Sequence, residues 1–248
     1  MPYESWTSGG VAATARSDVA AAVRAALTRA GTLYAWAARQ PGRDTFHGRG
    51  AAYGVTLGLA RAVVRHARHG GWLAPLLGDR YWGVPRFERE IALSERLRAL
   101  GVATPAVLAG VRYDAGALHR ADVATERVPG VDLVALLFGE GPPAGAAREA
   151  LWTAVGRLVG RLHASGFVHS DLQLRNVVYD PSVPGVAASL LDVDTCREVG
   201  TGSDGGGERR RNLGRFYRSW GKWNDLRGGR LTSRDKVMFE DAYRDALR

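Results

Sequence analysis

The sequence predicts an α+β chain with two lobes: a small antiparallel sheet carrying one helix, followed by a mainly helical lobe. Glycines recur among β-prone residues over 45–65, a Val-Pro-Gly break lies at 128–130, and strong helical periodicity follows over 149–165. The chain has 248 residues and 46% hydrophobic content, which is enough to bury a core in each lobe.

The boundaries of the lobes follow from these elements. Residues 17–39 are alanine-rich, with apolar side chains at helical spacing, and we expect a helix there. Residues 1–44 are therefore predicted to form a helical extension, residues 45–128 the first lobe and residues 129–248 the second.

A carboxylate shares the apolar face of the next predicted helix. The helix over 86–100 places Glu90 in line with Leu93 and Leu97, and a buried acid needs a cation. Arg65 ends a preceding predicted strand and is a candidate partner. Further strand-like runs follow before the Val-Pro-Gly break.

Composition narrows the classes of protein. No run of about 18 uncharged apolar residues occurs, and the first residues lack the pattern of a secretory signal. The single cysteine, Cys196, has no disulfide partner and no second thiol for a structural zinc. We therefore expect a cytoplasmic protein.

The charge is strongly positive and is concentrated near the C-terminus. The net charge is +9, and residues 208–248 hold 12 basic and 6 acidic residues. This favours an anionic partner such as a nucleotide, a nucleic acid or a membrane surface. The only lysines are Lys222 and Lys236, so every cation before them is arginine or histidine.

The strongest chemical signal is the segment HSDLQLRN at His169–Asn176, which lies between a predicted helix and a strand. Sixteen residues after Asn176, Asp192 ends an apolar strand. The order matches a kinase catalytic loop, in which Asp171 orients the acceptor hydroxyl and takes its proton. Asn176 and Asp192 would then be Mg²⁺ ligands beside the phosphates of ATP.

A simpler interpretation is that Asp171 and Asn176 only cap turns, as these residue types often do. Taken singly, either residue fits that interpretation well. The ordered set of His, Asp, Leu, Asn and a later strand-ending Asp is much more specific, and it favours the catalytic loop.

Together with this loop, several other segments resemble the lipopolysaccharide kinases, and within that family the enzymes acting on 3-deoxy-D-manno-octulosonic acid (Kdo). The resemblance runs from about residue 46 to residue 223 and implies a protein-kinase-like two-lobed fold. The matching segments are HGRGAAYG, VVRHARHGG, RYW, ATERVPGVDLVALL, HSDLQLRNVVYD, LLDVD and NLGRFYRSW.

The resemblance also implies an ATP site in the first lobe. Gly48 and Gly50 would let a turn close over the phosphates. Arg65 stands where protein kinases carry lysine, and its guanidinium group would bind phosphate or pair with Glu90. Glu126 lies in the segment that matches the hinge, which would receive the adenine ring.

The implied reaction is Mg²⁺-dependent transfer of the ATP γ-phosphate to a Kdo hydroxyl, at the 4-position, of a lipid A precursor. A protein acceptor is disfavoured because Ser170 and Asp194 replace the arginine and glycine of regulated protein kinases, and because no A-P-E segment follows. The remaining alternatives are a kinase of heptose, of a small molecule or of protein, and a non-catalytic membrane-associated scaffold.

The C-terminal segment mixes arginines with Phe216, Tyr217, Trp220 and Trp223. This combination suits an anionic membrane interface, and it predicts a peripheral protein on the cytoplasmic face of the inner membrane. Nucleic acid is not expected as a partner. The alternative is a solvated helix whose aromatic residues belong to the core.

Overall fold

In the computed structural model the chain forms two compact units. The first holds residues 1–92 and 106–127, and the second holds residues 93–105 and 128–248. The structure describes residues 1–47, 50–68, 78–183, 187–201 and 203–248.

Unit 1 is built on a seven-stranded antiparallel sheet. Its strands are β1 (Tyr3–Ser8), β2 (Val11–Arg16), β3 (Asp44–His47), β4 (Ala51–Leu57), β5 (Ala60–His66), β6 (Val107–Ala115) and β7 (Leu118–Glu126). Their order across the sheet is β1-β2-β6-β7-β5-β4-β3. The predicted antiparallel sheet is present, but it is larger than expected.

The difference lies at the start of the chain. The prediction of a purely helical extension over 1–44 is wrong for β1 and β2, because β2 pairs with β6 and adds both strands to the sheet. These strands are rich in Ala, Thr and Ser and give little apolar alternation. Their hairpin signal is the pair Gly9 and Gly10, whose φ angles of 54° and 76° suit a tight turn.

The helix expected over 17–39 is present as two helices, α1 (Ser17–Ala30) and α2 (Leu33–Ala38). Gly31 ends α1 with φ 76°, and the Thr32 side chain accepts a hydrogen bond from the Ala35 N–H at the start of α2. Glycine followed by an N-capping threonine therefore divides the predicted helix.

Helices pack on this sheet through small or apolar residues. The apolar face of α1 and α2 is buried with β-strand residues such as Val55 and Val64. Helix α3 (Arg86–Ala99) places Phe87 over Gly110 of β6, where a Cβ atom would lie 2.1 Å from the ring. Glycine is thus required at position 110 for this close approach.

Unit 2 is mainly helical, as predicted. Its helices are α4 (Leu133–Phe138), α5 (Gly145–Ala164), α6 (Ser203–Leu226) and α7 (Ser233–Leu247). Its short strands are β8 (Val131–Asp132), β9 (Phe167–His169), β10 (Val177–Tyr179), β11 (Ala188–Leu190) and β12 (Cys196–Glu198). They form the sheets β11-β10-β8 and β12-β9. The α+β fold class is confirmed.

Helix α5 is the centre of the core of unit 2. The apolar face predicted over 149–165 is buried in full, and it comprises Leu151, Trp152, Val155, Leu158, Val159 and Leu162. Gly156 and Gly160 bring α7 close, because a Cβ atom at Gly156 would lie 2.4 Å from the Phe239 carbonyl oxygen. These two helices therefore meet backbone to backbone.

The aromatic residues assigned from sequence to a membrane interface pack instead into this core. Phe216 is fully buried and stacks on Phe239 with ring centroids 5.0 Å apart. The ring centroids of Trp220 and Trp152 lie 4.5 Å apart, and Trp223 packs against the core of unit 2. The alternative of core aromatics on a helix is thus correct for this segment.

Replacing Gly156 with alanine should destabilise unit 2 by about 1–3 kcal/mol, since the new methyl group would overlap the α7 backbone. The matched control is Gly207→Ala on α6, where a Cβ atom meets nothing within 4 Å. That change should raise stability by up to about 1 kcal/mol through helix propensity. Urea denaturation of both variants measures the difference, and equal effects would contradict the close packing.

Candidate active site

The polar loop after β9 holds the predicted catalytic residues in one place. Asp171 and Asn176 are in direct contact, because the Asn176 amide nitrogen donates to the Asp171 carbonyl oxygen at 2.8 Å and to its Oδ2 at 3.2 Å. The Gln173 amide also donates to Asp171 Oδ2, at 2.8 Å. These bonds fix the Asp171 carboxylate. They use only the side-chain nitrogen of Asn176, and its side-chain oxygen accepts no hydrogen bond from the described residues.

A backbone hydrogen bond joins Asn176 to Leu191, the residue directly before Asp192. The Leu191 N–H donates to the Asn176 carbonyl oxygen at 2.8 Å. Asp192 has φ 55° and ψ 45°, and it is the only non-glycine residue with positive φ in the described part of the chain. A left-handed aspartate is strained, and such strain concentrates at functional sites.

His169 connects the loop to the segment after β11, which contains Asp192. Its Nε2 donates to the Leu191 carbonyl oxygen at 2.9 Å, and its Nδ1 accepts the Asp171 N–H at 3.1 Å. Burial lowers the pKa of His169, so the ring stays neutral and keeps this donor and acceptor arrangement. The ring positions the loop and has no free nitrogen for proton transfer.

Asn212 of α6 holds the backbone of His169 at two points. Its Nδ2 donates to the His169 carbonyl oxygen at 2.6 Å, and its Oδ1 accepts the His169 N–H at 3.2 Å. The same helix binds the loop again at Ser219, whose Oγ accepts the Leu174 N–H at 3.2 Å. One face of α6 therefore supports both ends of the loop.

A buried histidine fixes the orientation of that asparagine. His163 contacts Asn212 Oδ1 through Nε2 at 3.0 Å and the Tyr243 hydroxyl through Nδ1 at 2.9 Å. Burial lowers the pKa of His163 to about 4, so the ring is neutral. With the proton on Nε2, the Tyr243 hydroxyl donates to His163 Nδ1, His163 Nε2 donates to Asn212 Oδ1, and Asn212 Nδ2 donates to the His169 carbonyl oxygen.

Unit 1 contains the predicted pair of a strand arginine and a helix glutamate. Arg65 Nη2 lies 2.5 Å from Glu90 Oε1, and the Glu90 side chain is 5% exposed. A charge-assisted bond of this kind satisfies the buried acid. The cation required by the position of Glu90 is therefore Arg65.

The neighbouring residue on β5 faces the other side of the strand and is held by two acids. His66 Nδ1 lies 2.6 Å from Asp122 Oδ1, and its Nε2 lies 3.0 Å from Asp79 Oδ2. Asp122 is fully buried and also accepts bonds from the Tyr34 N–H and the Tyr113 hydroxyl. The hydrogen bond to Asp122 raises the pKa of His66.

The other predicted nucleotide-binding residues of unit 1 have simpler surroundings. Glu126 ends β7, and its backbone N–H donates to the Ala106 carbonyl oxygen at 2.8 Å. Gly50 lies in a bend, where a Cβ atom would meet the Arg68 side chain at 3.4 Å. Gly48 lies outside the described residues.

The oxygen atoms of the predicted metal ligands suit a hard cation. The side-chain nitrogen of Asn176 binds Asp171, which leaves its side-chain oxygen Oδ1 for the ion, and Asp192 supplies a carboxylate. Oxygen ligands of this kind are those that Mg²⁺ prefers. No group of three or more His, Cys, Asp and Glu side chains that would hold an ion by itself occurs among the described residues. The set therefore fits an ion that takes its remaining ligands from phosphate and water.

Comparison with known sequences identifies the family. The sequence model described as the lipopolysaccharide kinase (Kdo/WaaP) family matches residues 35–243. The chain belongs to this family. Membership of the Kdo/WaaP kinases confirms the resemblance that the sequence motifs indicate, and it shows that the protein is a lipopolysaccharide kinase by descent.

Two curated relatives of this lipopolysaccharide kinase carry the name 3-deoxy-D-manno-octulosonic acid kinase. The protein of Xylella fastidiosa (strain M12) is 33% identical over 204 residues, which cover 79% of this chain and 76% of the relative. That of Vibrio parahaemolyticus serotype O3:K6 is 30% identical over 180 residues, which cover 71% of each chain.

A solved structure supports the fold. The structure described as WaaP in complex with acyl carrier protein superposes with a TM-score of 0.53 at 23% sequence identity, over 82% of this chain and 78% of that chain. This confirms the protein-kinase-like fold. None of the described helices has the length and apolar character that crossing a bilayer requires.

Sequence reasoning missed the residues that support the site. Gln173 lies inside the quoted motif, and Asn212 opens the segment NLGRFYRSW, but neither stands out by residue type or spacing. A buried polar residue on an otherwise apolar helical face is the one available signal, and Asn212 fits it, being 5% exposed.

Asn212→Ala should loosen the loop, because it leaves the buried N–H and carbonyl groups of His169 without partners. We expect a loss of about 1–3 kcal/mol in stability and faster hydrogen exchange at the amides of residues 169–176. Mass-spectrometric hydrogen exchange measures the local effect.

Asn224→Ala is the matched control, since Asn224 on the same helix holds the backbone of Leu231 in the same two-point way at 2.7 and 3.1 Å. It should destabilise the protein without changing exchange in the loop. Equal loss of loop protection in both variants would show that Asn212 acts only on global stability.

The His66 pair predicts a pH dependence of unfolding. Since the folded-state pKa is raised, the stabilisation by His66 is complete below its unfolded pKa of about 6.5 and is lost as the pH rises through the folded value. The wild type should therefore lose stability to urea as the pH rises above about 6.5. His66→Asn, which retains a donor for Asp122, should remove that part of the slope. An unchanged slope would rule out His66 as its source.

Proposed function

We propose that this kinase transfers the γ-phosphate of ATP to a hydroxyl group of a Kdo sugar, at the 4-position, on a lipid A precursor. The observation that carries the proposal is the contact of Asp171 with Asn176, joined through Leu191 to the left-handed Asp192. Family membership supports the reaction class, and the names of the curated relatives support the sugar.

Asp171 is the proposed base for the acceptor hydroxyl. Its Oδ2 receives bonds from Gln173 and Asn176, whereas its Oδ1 accepts no hydrogen bond from the described residues. One oxygen thus fixes the carboxylate, and the other remains for the hydroxyl proton. A proton acceptor held in this way can contribute about 10²–10⁴-fold to the rate.

Asn176 and Asp192 are the proposed ligands of Mg²⁺. When bound, the ion neutralises charge on the transferring phosphate, which is the main electrostatic demand of this reaction. The protein contributes the fixed positions of the two oxygen ligands. The bond of Leu191 to the Asn176 carbonyl couples these positions to each other.

The nucleotide is proposed to bind unit 1 through the residues predicted from sequence. Arg65, which pairs with Glu90, is proposed to bind the phosphate oxygens of the nucleotide. Gly48 and Gly50 would cover the phosphates, and the backbone beside Glu126 would receive adenine.

An association with the inner membrane is part of the proposal, on the cytoplasmic face. It can rest only on charge, because the aromatic residues of α6 lie in the core. The exposed cations of this helix recur at positions 211, 215, 218 and 222, which share one helical face. Juxtamembrane cations of this kind attract anionic lipid headgroups.

Phosphate transfer to a Kdo-lipid acceptor from labelled ATP tests the reaction. Asp171→Asn should lower kcat by about 10²–10⁴-fold and leave Mg²⁺-ATP binding intact, since Asp171 acts on the acceptor proton. Asp192→Asn should instead remove the thermal stabilisation by Mg²⁺-ATP. Asp241→Asn, an exposed acid on α7, is the control and should change neither quantity.

Transfer by Asp171→Asn at the wild-type rate would remove Asp171 from the mechanism. A panel of acceptors, including heptose-containing and small aminoglycoside acceptors, tests the sugar specificity separately. Faster transfer to one of those acceptors than to the Kdo lipid would overturn the proposed substrate while leaving the kinase reaction in place.

A further inference from the structure

Two arginine side chains stack on one indole ring beside the catalytic loop. The guanidinium carbon of Arg175 lies 4.6 Å from the ring centroid of Trp223, and that of Arg227 lies 6.0 Å from the same centroid. Arg175 belongs to the loop, Trp223 belongs to the last turn of α6, and Arg227 directly follows that helix. Trp223 is partly buried and packs against the core of unit 2, which holds its ring in place.

The position of this pair is tied to the reacting residues. Arg175 lies directly before Asn176, four residues after Asp171. The bond from the Leu174 N–H to Ser219 Oγ holds this part of the loop on α6, one helical turn before Trp223. The contact that holds the loop on α6 therefore also holds Arg175 near the end of this helix.

The charge of the pair is not neutralised by the described residues. Both arginines are exposed, and neither side chain forms an ion pair or a hydrogen bond with the described residues. By contrast, Arg96 and Arg148 of the same unit each bind a carboxylate with two bonds. The nearest acid along α6, Asp225, forms no ion pair with either of them. Two like charges that share one ring favour an anion between or beside them.

Stacking also prepares the guanidinium groups for such an anion. A guanidinium plane held over an aromatic ring retains the N–H donors of its edge, and these donors match the two oxygens of a carboxylate. The loss of side-chain freedom on binding is reduced because the ring already limits the positions of the arginine.

We propose that Arg175 and Arg227, oriented by Trp223, bind a carboxylate of the acceptor sugar. The inference rests on the proposed function, in which the acceptor is a sugar acid and its carboxylate and reacting hydroxyl belong to one ring. The pair would set which hydroxyl reaches Asp171, because a bound carboxylate fixes the orientation of the sugar. Phosphate groups of the lipid offer similar oxygens, so the test separates the two sources.

The test compares a Kdo acceptor with its methyl ester, which removes the carboxylate charge and leaves the lipid phosphates unchanged. For the wild type, we expect the ester to raise KM for the acceptor on the order of tenfold, as the loss of a charge-assisted pair implies. Arg175→Gln and Arg227→Gln should raise KM for the acid by a similar factor and no longer distinguish acid from ester. KM for ATP should stay unchanged.

Arg234→Gln, an exposed arginine at the start of α7, is the matched control and should keep the wild-type preference for the acid. Arg175→Lys retains the charge without the forked donors and should fall between the wild type and Arg175→Gln. Thermal unfolding midpoints close to that of the wild type are expected for these surface variants, and they keep the comparison free of folding effects.

Equilibrium binding of the free sugar acid and its ester, measured by calorimetry, separates this inference from the proposed reaction. Wild-type preference for the acid that disappears in Arg175→Gln supports the carboxylate site even if no phosphate is transferred, in which case the proposed reaction alone fails. An undiminished acid preference in both glutamine variants, or equal binding of acid and ester by the wild type, would overturn the inference. If the wild type binds acid and ester equally but KM for the acceptor still depends on Arg175, the anion that the arginines bind is a phosphate group of the lipid.

Discussion

The shape of the proposed catalytic loop depends on the bonds that Asn212 makes to the backbone of His169. The loop has little regular secondary structure of its own, so its N–H and carbonyl groups need partners from elsewhere. One amide side chain supplies both, and a neutral buried histidine sets which way that amide points. The contacts among Asp171, Asn176 and the segment before Asp192 depend on this support.

The sequence was sufficient to predict that the residues of the proposed chemistry belong to one site, because their order along the chain is itself specific; their catalytic roles stay a prediction. Asp171, Asn176 and Asp192 are close in the hydrogen-bond pattern although they are separated by up to 21 positions in the printed sequence. The supporting residues were not predictable in the same way. Asn212 contacts the loop only because α6 packs there, and packing over 43 positions leaves no periodic signal.

Two other differences have equally local causes. The strands β1 and β2 escaped prediction because small residues such as those of VAATAR pack well on a sheet without showing apolar alternation. The aromatic residues of α6 were predicted to contact a membrane because basic and aromatic residues are interleaved in the sequence. Once the helix is formed, the same residues separate into an arginine-rich outer face and an aromatic inner face.

The support of the loop by α6 also bears on how the protein matures during synthesis. A ribosome releases the loop residues before it releases the helix that shapes them, and domains fold as their parts emerge. The nascent chain therefore carries the proposed catalytic residues Asp171, Asn176 and Asp192 for a period in which α6 does not yet support their loop. The loop gains its support only when the segment from residue 203 onwards folds back on the part already made, so a nascent chain that lacks α6 would contain the motif without its geometry.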